Sequence, residues 1–274
     1  MASYHLASIG PFIRVGVVGC GRVGRTICFA IDAGRVHADL AAVCDTDADK
    51  VQNLIFQLKR PTRSMSLPGL VASVDLVIEA TNRHVAPAVI MAAINGGKDV
   101  LVTNPAAILA RDDFPRLAHE RGLTIFAANA LLAGGDALTA AAAMPGADLT
   151  LTITCPPRVL ADAPFLRGRE LKGAEEPQLV FQGEAGDALA AFPVLANMVA
   201  AAAIGARGAP LLVRVRTDAA DDVTDVELTA SFEKRELAAR ATVATSGDEP
   251  ADPEAMGHLV IGFLRSLVSS VRVT

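Results

Sequence analysis

The stretch "RVGVVGCGRVGRT", residues 14–26, decides the fold. Its core, Gly19-Cys20-Gly21-Arg22-Val23-Gly24, is a G-x-G-x-x-G close to the N-terminus. Such a match is weak alone, because glycines punctuate many turns, but three features of its context strengthen it. Residues 13–18 are a short, continuous β-branched run, the pattern of a strand buried on both faces of a parallel sheet. The glycines open a stretch, residues 23–33, that sets Val23, Ile27, Ala30 and Ile31 on one helical face, with Gly34 as a stop. A second apolar run, "ADLAAVC", is followed at once by Asp45, twenty-one residues past Gly24. In such a strand–turn–helix unit Gly19 permits the tight turn, Gly21 lets the backbone approach a pyrophosphate, and Gly24 lets the helix pack on the strand. The helix N-terminus at Arg22 and Val23 offers N–H groups and partial positive charge to phosphates. Asp45 stands where a carboxylate accepts hydrogen bonds from the adenosine ribose hydroxyls. A carboxylate there repels a 2′-phosphate, so NAD is expected over NADP. Arg22 or Thr46 would soften that preference and leaves NADP open.

Outward from this unit the pattern repeats. Residues 47–58 have helical spacing, a short strand is expected near 64–67, and "VDLVIE" over 74–79 reads as a strand. A helix through about Asn95, a strand over 100–103, a helix over 114–121 and a strand over 123–127 follow. Alternating β and α segments of this kind give a doubly wound parallel sheet, a Rossmann fold in the α/β class. Ligands of such sheets bind outside the carboxyl ends of the strands. The loops holding Ala80, Thr81, Asn82 and His84, and Thr103, Asn104 and Pro105, would therefore border the ribose and nicotinamide. His84 has the ordinary pKa of an acid/base group, though a histidine starting a helix equally sits at the surface.

The grammar changes after about residue 130. A helix over 135–143 is followed by "LTLTIT", which alternates like a half-exposed strand, and "LVFQGEA", "APLLVRVRTD" and "VTDVELTASFE" are further strand candidates. This alternation predicts a smaller α+β domain with a mixed sheet covered on one face by helices. The closing stretch, residues 256–271, is an amphipathic helix. The expected division is a cofactor domain over 1–128, joined by the C-terminal helix within 252–274, and a substrate and dimerisation domain over 129–251.

Bulk properties narrow the function classes. With 274 residues the chain has room for two domains of ordinary size. Hydrophobic residues make up 51% of it, with no Trp and one Tyr, and a net charge of −5 argues against a nucleic-acid partner. The first twelve residues lack the basic and apolar regions of a secretory signal. Residues 188–206 run without a charge for 19 residues, but Pro193, Asn197 and the dominance of Ala point to a buried helix starting near Pro193 rather than a membrane span. Cys20, Cys28, Cys44 and Cys155 contain no C-x-x-C pair and no zinc-like spacing with His. Free thiols in a cytoplasmic protein are expected, with a small-molecule substrate, no bound metal and a homodimer as the default assembly.

Across most of its length the chain resembles the L-aspartate dehydrogenase family. "VGVVGCGRVG", "DLVIEAT" and "GKDVLV" match the family's early segments; "ANALLAGGDALTAA" resembles a segment closer to P-S-G-A-I-G-G-L-D-A-L, with Gly134, Asp136, Ala137 and Leu138 in register. "TITCPP", "VFQGEAGDALAAFPVLANMVAA" and "DDVTDVELTASFE" resemble later ones. The resemblance implies an NAD(P)-dependent amino-acid dehydrogenase, which moves a hydride between nicotinamide and the carbon bearing an amine or imine. It also implies a catalytic histidine in the last of these strands, where this chain has Thr224. The P-S-G-A segment becomes Ala128-Asn129-Ala130-Leu131, and one of two family asparagines becomes Leu195, while Asn197 remains. On this reading Asn197 and Thr224 would face the substrate, Arg158 would pair with a substrate carboxylate, and His84 is the substitute acid/base candidate. Asp225 is disfavoured, because alternation turns it to the other face. A cofactor-binding paralogue without turnover, such as a redox sensor, is the alternative. A sugar dehydrogenase of the glucose–fructose oxidoreductase type is weaker, since Thr103-Asn104-Pro105 stands where that type carries Glu-Lys-Pro.

Overall fold

The computed structural model describes residues 13–128, 135–169, 177–218, 222–233 and 235–268. Described residues up to Ala128, with those from Met256 onward, make one compact unit, and those between make the second.

The first unit runs β1 (Ile13–Val18), α1 (Arg22–Asp32), β2 (Ala38–Cys44), α2 (Ala48–Gln57), β3 (Arg63–Ser64), α3 (Leu67–Ser73), β4 (Leu76–Glu79), α4 (Ala86–Asn95), β5 (Asp99–Val102), α5 (Ala106–Leu109), α6 (Phe114–Glu120) and β6 (Ile125–Ala127). The strands form one six-stranded sheet in the order β3-β2-β1-β4-β5-β6, with every pair parallel. That order reverses between β1 and β4, which is the switch point of a doubly wound fold. β4 and β5 are buried at every residue, as strands of a parallel sheet covered on both faces are. Gly16, inside β1, has a packing reason: a Cβ there would come within 2.5 Å of Leu70 on α3.

The second unit runs α7 (Gly135–Ala142), β7 (Asp148–Cys155), β8 (Gln178–Glu184), α8 (Ala185–Ala191), α9 (Ala196–Gly205), β9 (Leu211–Thr217), β10 (Val223–Phe232) and β11 (Arg235–Ala244). Its five-stranded sheet has the order β11-β10-β7-β9-β8 and is mixed, since β7 and β9 are parallel and the other pairs antiparallel. Leu149, Leu151, Ile153 and Cys155 of β7 are buried while Thr150, Thr152 and Thr154 are half-buried, as a sheet covered on one face requires. The chain closes with α10 (Pro253–Val268), whose Val260, Ile261 and Leu264 join the core of the first unit around Ile27, Ile31 and Leu54.

Several expectations need correction. The third strand is Arg63–Ser64, and Leu67 begins α3 instead, capped by the Ser66 hydroxyl at 3.4 Å from the Gly69 N–H. The Ala-rich stretch holds the expected helical segment from Pro193, and before it a second helix, α8, that was not expected. α8 ends at Ala191, a short 3-10 helix covers Pro193–Leu195, and the chain turns by 118° before α9. Pro193 lacks an N–H to continue α8, and Phe192 leaves helical geometry at φ −133° and ψ 73°. No single helix among the described residues is long and apolar enough to cross a membrane. The helices α3 and α5 and the strand β11 were not expected from sequence. The 129–131 segment, Gly134 and residues 269–271 lie outside the described residues.

Candidate functional site

At the carboxyl ends of β1, β2 and β4 lies a cavity of about 330 Å³. Gly19 and Gly21 line it from the β1–α1 turn, Asp45, Thr46 and Lys50 from the end of β2 and the start of α2, and Ala80, Thr81 and Asn82 from the loop after β4. The turn is built from glycines for measurable reasons. Gly19 has φ of +104°, and a Cβ there would lie 2.3 Å from the Ala80 carbonyl oxygen. A Cβ on Gly24 would lie 1.9 Å from the Gly19 carbonyl oxygen. Gly21 has nothing within 4 Å of its Cβ position, so its open side is free for a ligand. Gly21 is also the N-cap of α1 and supplies no side-chain oxygen to that helix end.

Asp45 is held in place rather than merely exposed. Its Oδ2 accepts the Cys20 N–H at 2.6 Å and its Oδ1 accepts the Asp47 N–H at 2.9 Å. This ties the second strand's end to the glycine turn and, with the Thr46 hydroxyl also donating to Oδ1 at 3.4 Å, leaves Oδ2 a further lone pair for a ribose hydroxyl. Burial, then the Asp45 charge, pushes the Cys20 thiol up to about 12, so it is neutral beside that carboxylate. Lys50, at the cavity wall, pairs with Asp47 at 3.3 Å. The residues present fit a dinucleotide: two glycines the turn cannot replace, one open glycine, and an anchored carboxylate where a ribose is expected.

Sequence reasoning missed Glu79, the last residue of β4, whose side chain is fully buried. Its carboxylate accepts the Thr81 N–H and hydroxyl, both at 2.7 Å, and the Asn104 N–H and amide at 3.3 and 3.0 Å. Asn104 also donates to the Thr81 carbonyl at 3.1 Å. Glu79 thus clamps the loop after β4 to the loop after β5. Burial raises its pKa above the usual carboxylate range, while the four donors work against that shift. The available signal was an acid closing an otherwise apolar strand.

The other candidates separate. Arg22 is exposed and Val23 packs against the core of the first unit. His84 is exposed, its backbone N–H bonded to Asn82 Oδ1 at 3.0 Å and its ring accepting from Arg83 at 3.3 Å. In the second unit, Thr224 is fully buried near the start of β10. It precedes the Asp225–Thr154 pair and so falls beside Cys155, which is itself paired with Thr217 on β9. The hydroxyls of Thr217 and Thr224 have no hydrogen-bond partner among the described residues, and burial pushes the Cys155 thiol between them up to about 12. One end of this sheet therefore carries a row of three buried, neutral polar side chains. Asp225 turns the other way, as alternation requires, and bonds to Arg240 at 2.6 Å and to Thr242.

Arg158 does not stand free: it pairs with Asp222 at 2.8 Å and donates to Thr245 at 2.6 Å and to the Gly247 carbonyl at 3.1 Å. Asn197 is the second residue of α9 and half-buried. Among the described residues no group of His, Cys, Asp and Glu is arranged to hold a metal.

Two family models match in succession: the NAD-binding domain of homoserine dehydrogenase over residues 19–127 and the C-terminal domain of aspartate dehydrogenase over 136–267. The chain is 31% identical to the L-aspartate dehydrogenase of Methanosarcina barkeri, covering 95% of this chain and 99% of that one. It is 33% identical to that of Methanosarcina acetivorans over 72% of this chain and 74% of the relative. The fold matches that of aspartate dehydrogenase from Thermotoga maritima with a TM-score of 0.67 at 15% identity, over 96% and 99% of the two chains.

Proposed function

The chain belongs to the L-aspartate dehydrogenase family, and from that premise we propose that it interconverts a small 2-amino acid and its imine, aspartate and iminosuccinate or a close relative, with NAD as the preferred cofactor. It is an NAD(P)-dependent oxidoreductase; the substrate, the residue roles and the assembly are the proposal. The observation that carries the cofactor preference is the cavity at the β1–β4 switch point, with open Gly21 and anchored Asp45 on its wall.

Nicotinamide, when bound, accepts the hydride from the carbon bearing the amine or returns it to the imine. Gly21 and the α1 N-terminus would receive the pyrophosphate, and Asp45 would accept hydrogen bonds from the ribose hydroxyls. Glu79, through Thr81 and Asn104, holds two loops at the carboxyl ends of β4 and β5 in one geometry. Thr224 takes the position where the family resemblance places a histidine. Its hydroxyl donates or accepts a hydrogen bond but does not exchange a proton near neutral pH. Proton transfer then falls to water or to the substrate's own nitrogen. Asn197 is retained as a substrate-facing residue on the resemblance alone. His84, exposed and paired to its neighbours, is the weaker acid/base candidate.

The half-buried outer face of the second sheet, with Thr150, Thr152 and Thr154 on β7, supports a homodimer, and free buried thiols at Cys20, Cys28 and Cys155 suit a reducing cytoplasm. Light scattering on the purified chain tests the former. The catalytic reading is tested by NADH oxidation with ammonium and a panel of 2-oxo acids including oxaloacetate. Turnover with at least one dicarboxylic member supports it; tight NADH binding without turnover on any member overturns it.

A further inference from the structure

We propose that the first unit carries a second ligand site, for a small organic polyanion, beneath the loop joining α2 to β3. A cavity of about 530 Å³ opens there, within the size range of small-molecule sites. It lies toward the amino ends of β1 and β2, where Arg14 and Asp39 sit, and shares no residue with the nucleotide cavity at the carboxyl ends.

Its charge favours an anion. Arg14, Lys59, Arg60 and Arg63 line the cavity with one carboxylate, Asp39, in a chain whose net charge is −5. The Asp32 and Asp75 carboxylates, outside the lining, are held by the backbone N–H groups of Lys59, Arg60 and Arg14. Among the described residues none of these four cations lies within 4.0 Å of a carboxylate oxygen, whereas Lys50, Arg111, Arg116, Arg158 and Arg240 all do. Four like charges around one concave surface raise its potential and repel one another, and a bound anion relieves both.

The wall of the cavity is also fixed. The Asp32 carboxylate accepts the Lys59 N–H at 3.1 Å and the Arg60 N–H at 2.8 Å, and the Thr62 hydroxyl donates to the Leu40 carbonyl at 3.3 Å. The cationic side chains thus leave a backbone already tied to α1 and β2, which lowers the ordering cost of closing them on a ligand.

The lining sets the ligand class. Ala41, Ile55, Leu58 and Met65, all half-buried, add an apolar part to it beside the exposed cations. A carbon skeleton bearing two or more carboxylates or phosphates satisfies both, since guanidinium groups bind either anion through paired hydrogen bonds.

The test is calorimetric titration of the full chain with citrate and, separately, with fructose 1,6-bisphosphate, against sodium chloride at matched ionic strength. One saturable site per chain is expected, with Kd below about 1 mM. The Arg60→Gln/Arg63→Gln variant should weaken it at least tenfold while NADH affinity stays unchanged. Tighter binding of citrate identifies a polycarboxylate site and tighter binding of the bisphosphate an organic phosphate site. Should the double variant melt early, Lys59→Ala alone should weaken binding several-fold. Absence of a saturable heat for both anions, equal binding by the variants, or competition with NADH, which would put the anion at the glycine turn, overturns the proposal.

Discussion

The carboxyl end of the first sheet and the Thr217–Cys155–Thr224 end of the second treat polar side chains in opposite ways. In the first, Asp45 and Glu79 are anchored by backbone and side-chain donors from neighbouring loops. In the second, two hydroxyls are buried without partners among the described residues, and the thiol between them is neutral. An unsatisfied buried hydroxyl costs about 1–3 kcal/mol. The cofactor end therefore finishes its own geometry from backbone and acids. The other end carries that cost and has no group in the row that ionises near neutral pH. Holding a dinucleotide is written into the fold, while proton chemistry is not written into this row.

The largest expected effect comes from breaking the self-finished end. Gly19→Ala forces a Cβ to 2.3 Å from the Ala80 oxygen at a positive φ, so NADH affinity should fall by at least about 100-fold. Fluorescence titration with an affinity near wild type would mean the turn is not the cradle. Asp45→Ala removes charge-assisted hydrogen bonds worth about 1.5–3 kcal/mol, so NAD affinity should drop about tenfold or more while NADP affinity holds or rises. Unchanged NAD binding takes Asp45 out of the ribose site.

Glu79→Gln sharpens the comparison because it keeps the shape and swaps one acceptor for a donor facing Asn104. The KM for NADH should rise several-fold with a smaller change in kcat, read from steady-state kinetics. Its pH signature has a definite sign. Because burial raises the folded-state pKa, the folded form holds the proton longer than the unfolded form. Wild-type stability should then decline as pH rises from the ordinary carboxylate pKa through the raised one, and Glu79→Gln should lack that decline in melting curves. The smallest effect is expected from Arg158→Ala. Its ion pair joins groups with side chains 40% and 86% exposed, so stability should change by less than about 1 kcal/mol and substrate KM little. A tenfold rise in that KM would restore Arg158 to the substrate site.

Much of this was legible in sequence where local chemistry and tertiary demand agree. β1 and β2 were read at their observed bounds, because continuous apolar runs between a glycine turn and an acid leave few alternatives. β11 was not, since "RELAARATVA" favours helix by composition; it is a strand because it pairs with β10 along ten residues, from Val223–Ala244 to Phe232–Arg235. The helical segment starting at Pro193 was read correctly, but α8 before it was not. Asp45 was visible through its spacing from Gly24. Glu79 escaped because its partners, Thr81 and Asn104, come from two loops, and Thr217 escaped because its neighbours on the row come from other strands.

The most direct test of the contrast is NADH oxidation with oxaloacetate and ammonium, compared between the wild type and Thr224→His at equal NADH saturation. A positioned general acid or base is worth about 10²–10⁴ in rate. Equal NADH affinity and turnover at least about 100-fold faster in the variant are expected. Fast wild-type turnover that the histidine leaves unchanged or slows would contradict that contrast.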